Sequence, residues 1–286
     1  MKYLIVLLLC ILAVTKLSIQ GAFGKKNVKN SSDALVFNGV VFVVAALLFS
    51  PSVFGCSPAV WLYALPASIF TVAYQVFYTK ALTMGSVSLT VLIANFAMVL
   101  NVLVSYFFFG DSMSPIRLSG IVITVISFII CTDFKKTQKK TQKWLLMAVL
   151  SLFTSSAGSV VSKFFGESPY KNESAAYVSC LYIVSAVLVC IIYLIMHVKG
   201  KKITFSKGPL NVIKYALGVG ISLALYQLIY TTALGKMDGT FLFPAITGST
   251  ILLSTFSGVL LFKDMLPKRQ IVGIVLGIIA VVLMNF

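Results

Sequence analysis

The chain has 286 residues, 59% of them hydrophobic and 10% charged, with 23 basic residues against 7 acidic ones and a net charge of +16. A soluble globular domain uses roughly 45–50% apolar and 25% charged residues, so a water-soluble fold is excluded as the expectation. Nucleic-acid binding is excluded too, because the basic residues sit in short loops between apolar runs and not on a soluble face with stacking aromatics.

Ten apolar runs follow one another, at approximately 3–24, 33–50, 58–82, 86–109, 115–132, 142–165, 174–197, 209–235, 239–262 and 267–285. Each is near or above the roughly 20 residues that cross a hydrocarbon core. Runs this long favour helices, since every backbone amide in lipid needs an internal partner. The first run, from Tyr3 to Val14, resembles the apolar region of a secretory signal. No small-residue cleavage pattern follows it, and Thr15, Lys16 and Leu17 continue a helix to Gly24, so it is expected to stay as a span. The longest polar stretch, Asp133 to Lys143, falls at the midpoint.

Residues 74–82 read YQVFYTKAL, and 226–234 read YQLIYTTAL, 152 positions later. The correspondence extends to FFFGDSMSPIRLSG (107–120) and LLFKDMLPKRQIVG (260–273), which share an acidic residue, a proline, an arginine and a glycine. Lys25 and Lys163 each close the first span of a half. The expected organisation is a first five-helix repeat at 1–133, a basic cytoplasmic linker at 134–143 and a second five-helix repeat at 144–286. Five crossings per half put the start of the second half on the opposite side, so the repeats are inverted. The fold class is thus an all-α polytopic membrane protein with ten transmembrane helices as two inverted five-helix repeats.

Lysine placement tests this independently. With loops taken alternately, seventeen basic residues collect on one side and five on the other (Lys2, Arg117, Lys163, Lys171 and Lys236), leaving only Lys16 of the 23 inside a span. The positive-inside rule makes the first side cytoplasmic and places both termini outside. The composition fits a prokaryotic cytoplasmic membrane.

No Ser-His-Asp set, phosphate-binding glycine loop or intramembrane pair of carboxylates is present, so no enzymatic chemistry is expected. The five cysteines show no metal spacing and read as small buried hydrophobes. The single histidine, His197, ends a span and reads as interfacial. Neither a cofactor nor a metal is called for.

Ten short spans, two five-helix halves and the Phe109-Gly110-Asp111 and Phe262-Lys263-Asp264 turns, each followed by an arginine and a glycine, resemble the drug/metabolite transporter superfamily and its EamA-type ten-helix carriers. Members often carry a helix-breaking proline in the fourth span of each half; Pro244 marks the ninth span here, but the matching position in the fourth is Val91. The resemblance implies alternating access, with a central cavity between the halves lined by the third, fourth, eighth and ninth helices plus the first and sixth.

Polar side chains in hydrocarbon are costly and collect where a cavity or another helix receives them. Tyr74 and Tyr78 share one helical face with Gln75 beside them, and Tyr226, Tyr230 and Gln227 repeat the arrangement. They either line a path for an amphipathic or cationic solute or serve as interfacial belt aromatics with helix-bonding amides. Asn95 and Asn101 lie deep in the fourth span, and Thr247 lies in the ninth, where Pro244 is expected to free carbonyls near Thr240 and Phe241. Hydroxyls such as Ser155, Ser156 and Ser159 fit close helix contact better than a ligand site. Lys16, roughly 13 Å short of Lys25 at 1.5 Å per residue, either snorkels to the interface or presents an ammonium to a cavity, where it binds a carboxylate or phosphate or titrates during transport.

The expected function is a secondary transporter of a small organic metabolite, an amino acid, amine or similar solute, with membrane lipids as surroundings and a monomer or homodimer as its state. A flippase for a lipid-linked group and a non-transporting membrane scaffold are the alternatives.

Overall fold

The computed structural model describes residues 2–27, 31–84, 87–131, 142–198, 209–262 and 268–283. Eleven α-helices occupy them: α1 (Lys2–Asn27), α2 (Ser31–Leu48), α3 (Pro58–Met84), α4 (Val87–Asn95), α5 (Ala97–Phe109), α6 (Pro115–Cys131), α7 (Gln142–Glu167), α8 (Ser174–Val198), α9 (Pro209–Leu234), α10 (Gly239–Phe262) and α11 (Lys268–Leu283). Short 3-10 turns at Ser50–Val53 and Lys171–Glu173 lead into α3 and α8. No strand occurs among the described residues.

Among the described residues, five helices can cross a membrane by length and composition: Lys2–Phe23, Pro58–Leu82, Gln142–Glu167, Lys171–Val198 and Leu210–Leu234. Four shorter apolar helices accompany them, Asp33–Leu48, Ile93–Phe109, Pro115–Ser127 and Ile271–Ala280. Their outward faces are apolar: Leu4, Phe107, Phe108 and Leu194 are all more than half exposed. Exposed apolar surface on this scale has no place in water and marks a bundle surrounded by lipid. Most of the linker at 134–143, the lysines from Lys199 to Lys207, and Lys263, Asp264 and Pro267 lie outside the described residues.

Most of the packing runs between helices that the repeat assigns to different halves. Helix α3 packs on α7 and α1 on α9, which are equivalent pairs when the halves are exchanged. The pairs α3 with α8 and α2 with α9 are related in the same way, while α2 packs on its own counterpart α8, and α6 on α11. Small hydroxyls stitch these seams by donating to carbonyls of the facing helix. Ser68 donates to Leu181 (2.7 Å), Ser179 to Ala46 (2.9 Å) and Ser127 to Gly273 (2.7 Å). In a lipid setting such bonds and the close approach of small residues replace the hydrophobic effect as the glue between helices.

The apolar stretch that α4 and α5 share does not run straight. It breaks at Phe96, where the Phe96 amide bonds back to Ile93 (3.1 Å) and the Val99 amide to Phe96 (3.0 Å), both across three residues. Neither proline nor glycine stands at this break. Helix α10, by contrast, continues through Pro244. Pro244 is the sixth residue of that helix, so its missing N–H deprives only the Thr240 carbonyl of a partner one turn from the start.

Candidate functional site

A cavity of about 250 Å³ lies where helices from both halves cross. From α1 it receives Lys16 and Gln20, and from α2 Asn38. Helix α3 contributes Phe70, Thr71, Tyr74 and Gln75, and α9 contributes Leu223, Tyr226, Gln227 and Tyr230. Along α7, Thr154, Ser155, Ser159 and Ser162 face it, and Tyr182 of α8 closes a side. A second cavity of about 170 Å³ shares Ser155, Ser159, Tyr226 and Tyr230 with the first and reaches Asn95, Asn101 and Thr247. Tyr226 and Tyr230 thus stand as a partition between the two spaces.

Spacing explains the wall. Residues four apart lie one above the other on a helix, so Tyr226 stacks on Tyr230 at 5.6 Å and 14°, and Tyr74 on Tyr78 at 5.3 Å and 23°. The two stacks have different surroundings. Tyr230 is buried and tilts against Phe243 of α10 at 6.3 Å. Gln227 donates to Ser162 and Thr231, both at 3.3 Å. Gln75 makes no side-chain hydrogen bond among the described residues.

Lys16 is partly buried, and its ammonium sits 5.7 Å from the centroid of the Tyr226 ring. This places the side chain on the cavity wall, against a helix of the other half. Gln20, one turn further along α1, donates to Asn38 at 3.3 Å, and Asn38 donates in turn to the Ala34 carbonyl at 2.8 Å. Among the described residues, no aspartate or glutamate lines the cavity.

Of the residues singled out from the sequence, Lys16, Tyr74, Gln75, Tyr226, Gln227 and Tyr230 meet in the larger space, and Asn95, Asn101 and Thr247 in the smaller. Two do not. Tyr78 stacks behind Tyr74 and lines neither cavity, while Pro244 is buried and leaves the lining to its neighbours Phe243 and Ile246. The Thr240 region, where freed carbonyls were expected, lies instead at a helix end, with the Thr240 hydroxyl donating to Ser112 at 2.8 Å. Ser155 and Ser159 were assigned to packing, yet they line both spaces. Gln20, Asn38, Phe70 and Tyr182 were not foreseen; only Gln20 carried a signal, being four residues after Lys16 on the same face.

A polar network ties the halves together at one end of the bundle. Lys163, 1% exposed near the end of α7, pairs with Asp111 at 2.9 Å and with Glu167 at 2.8 Å, its ammonium 4.9 Å from the Phe109 ring centroid. Asp111 also accepts the Gly239 amide at the start of α10. Gly110, with φ 68°, ends α5 in the left-handed turn that brings Asp111 round. Beside it Arg117 pairs with Asp238 at 3.2 Å and donates to the Ser112 carbonyl at 2.8 Å. Glu173 accepts the Ser57 amide at 2.8 Å and hydroxyl at 2.7 Å. At the same end α7 and α9 approach so closely that a Cβ on Gly235 would collide with the Gly166 carbonyl.

A profile of the EamA-like transporter family matches residues 4–132 and again 142–286. No curated protein matches the chain. A solved structure described only as a crystal structure of a protein superposes with a TM-score of 0.77 at 17% identity, covering 99% of this chain and 95% of that one, which supports a common fold. With nearly all of its length matched in two successive copies, the chain belongs to the EamA-like transporter family, a family of multi-pass membrane transporters.

Proposed function

We propose that this protein is a secondary transporter that moves a small organic metabolite across a prokaryotic cytoplasmic membrane by alternating access, through rocking of two inverted five-helix halves of ten spans. The observation that carries the reading is the polar cavity at the crossing of the two repeated tyrosine and glutamine faces, walled by helices from both halves. A cavity on the seam between repeats is where rocking exposes a site alternately to the two sides.

The asymmetry of the seams supports a definite state. The halves are drawn together at the end that carries Lys163, Asp111, Arg117 and Asp238, and α7 meets α9 there at Gly166 and Gly235. Among the described residues, α1 and α3, the counterparts of α7 and α9, make no comparable contact. Lysine placement makes the drawn-together end the outer one, with both termini on that side. The conformation is then closed outward.

The test is reconstitution of the purified chain in liposomes. Saturable flux of a water-soluble solute is the expected result. Lipid scrambling without solute flux would replace the reading with a flippase, and absence of both would leave a scaffold. Labelling of a cysteine placed at position 2 from the outside of intact cells checks the orientation.

A further inference from the structure

We propose that the central cavity takes a small organic oxyanion, a solute whose carboxylate or phosphate head pairs with Lys16 and whose apolar body lies between the Tyr74 and Tyr226 walls. This rests on the transporter reading and names the substrate class of the same site.

Lys16 has no ion-pair partner among the described residues, and the carboxylates described elsewhere are placed away from it. Asp111 and Glu167 hold Lys163, Asp238 holds Arg117, and Glu173 holds Ser57, all at helix ends. Asp33 sits in the first turn of α2 and lines neither cavity. An ammonium among aromatic and amide groups lacks the counter-charge that a buried ion needs. A solute oxyanion supplies it.

The opposite charge is disfavoured at the same wall. Aromatic faces can hold a cation, and the tyrosine walls by themselves admit that reading. The Tyr226 face, however, is already taken by the Lys16 ammonium. A cationic solute would meet like charge at the ring that should receive it, with no carboxylate in the lining to offset the repulsion. A neutral solute would leave the ammonium as it is.

Hydrogen-bond donors line the cavity as well. The cavity that Lys16 lines also presents the Ser155 and Ser159 hydroxyls and the Gln75 amide, which makes no side-chain hydrogen bond among the described residues, all groups that donate to an oxyanion. Phe70, Tyr74 and Tyr226 provide apolar surface for the remainder. The adjoining smaller cavity is available for a longer body, since the two share Tyr226 and Tyr230.

Thermal stability of the purified full chain in neutral detergent tests this with matched probes: 3-phenylpropionate, phenyl phosphate, 3-phenylpropanol and 3-phenylpropylamine. A ligand of the folded state raises the midpoint by mass action. At least one of the two anions is expected to stabilise saturably, with the alcohol and amine at least tenfold weaker. Lys16→Met should weaken the anion at least tenfold without lowering the unliganded midpoint, and Lys16→Arg should retain part of the binding. Should Lys16→Met fail to accumulate, Lys16→Gln provides the same comparison. The proposal is overturned if the amine or alcohol binds as well as the anions, if neither anion binds, or if the neutral variant binds them within threefold of the parent. Stabilisation by phosphatidylglycerol micelles and by neither anion would assign the charge to a lipid headgroup and also overturn it. In liposomes, saturable flux of 3-phenylpropylamine but not 3-phenylpropionate would sink the anion and leave the transporter standing. Lipid scrambling alone would sink the transporter reading itself.

Discussion

Helices α3 and α9 carry almost the same nine residues, yet the structure treats them differently. On α9, Tyr226 supports Lys16, Gln227 is held by two hydroxyls and Tyr230 is buried against α10. On α3, Gln75 has no partner among the described residues and Tyr78 is turned off the cavity. Equal sequences acquire unequal roles because their neighbours differ, with α7 fastened to α9 by Gly166 and Gly235 and no comparable contact between α1 and α3 among the described residues. The tyrosine and glutamine face of α9 is held by its neighbours, and that of α3 is held less.

The largest expected effect comes from the fastened end. Replacing Lys163 by Met leaves Asp111, 8% exposed, without its counter-charge. Removing one member of a buried pair costs about 3–5 kcal/mol, and the retained Gly239 amide puts this case at the low end. The midpoint of thermal unfolding should fall sharply, and adding Asp111→Leu should restore part of it. The neighbouring Arg117–Asp238 pair is 16% and 44% exposed on its two sides. Asp238→Asn should therefore cost no more than about 1 kcal/mol, the range of solvent-screened pairs. Equal losses at the two pairs would mean that the network does not fasten the halves through Lys163.

Next comes the crossing itself. Gly235→Ala drives a Cβ into the Gly166 carbonyl, which neither backbone can avoid without separating α7 from α9. Overpacking of this kind costs about 1–3 kcal/mol. Gly21→Ala on α1 meets nothing within 4 Å and should be neutral or stabilising by up to about 1 kcal/mol through helix propensity. Comparable midpoints for the two variants would remove the asymmetry between the halves.

How far the sequence predicted these differences depends on which physical signal was local. Helix limits were legible, since apolar runs and loop lysines are read residue by residue: the expected 142–165 and 239–262 became Gln142–Glu167 and Gly239–Phe262. The cavity residues on α3 and α9 were legible through the repeat. Lys163 was counted as an ordinary outer cation, because its partner Asp111 stands 52 positions away and only the fold joins them. Ser155 and Ser159 were assigned to packing because a hydroxyl on a helix looks the same whether it faces a helix or a cavity. The break at Phe96 carries no proline or glycine, so nothing in its composition announced it.

At the site the comparison becomes one of affinity against stability. Gln75→Leu removes an amide that has no partner among the described residues and that the proposed site offers to the solute, so KM should rise about tenfold, equivalent to roughly 1.4 kcal/mol, with the unliganded midpoint nearly unchanged. Gln227→Leu removes two internal bonds and should lower the midpoint by the roughly 1 kcal/mol of a typical hydrogen bond, with a smaller change in KM. Kinetics in liposomes and unfolding in detergent separate the two, and a larger KM change for Gln227 would reverse the roles assigned to the halves.

Pro244→Ala should have the smallest effect. A proline within a transmembrane helix invites the reading of a hinge, but α10 passes through this one with its first turn already anchored by the Phe241 and Leu242 amides on the Asp238 carbonyl, at 3.2 and 2.9 Å. Restoring an N–H at position 244 completes one bond to Thr240 and changes stability by no more than about 1 kcal/mol. The bonds across three residues at Phe96 are the kind that mark a hinge in a helix, and they lie between α4 and α5, where no proline stands. Turnover of Pro244→Ala in liposomes should stay within about twofold of the parent, since one added bond is worth no more than the roughly 1 kcal/mol above. A collapse of turnover with unchanged KM would place the bending point in α10 and not at Phe96.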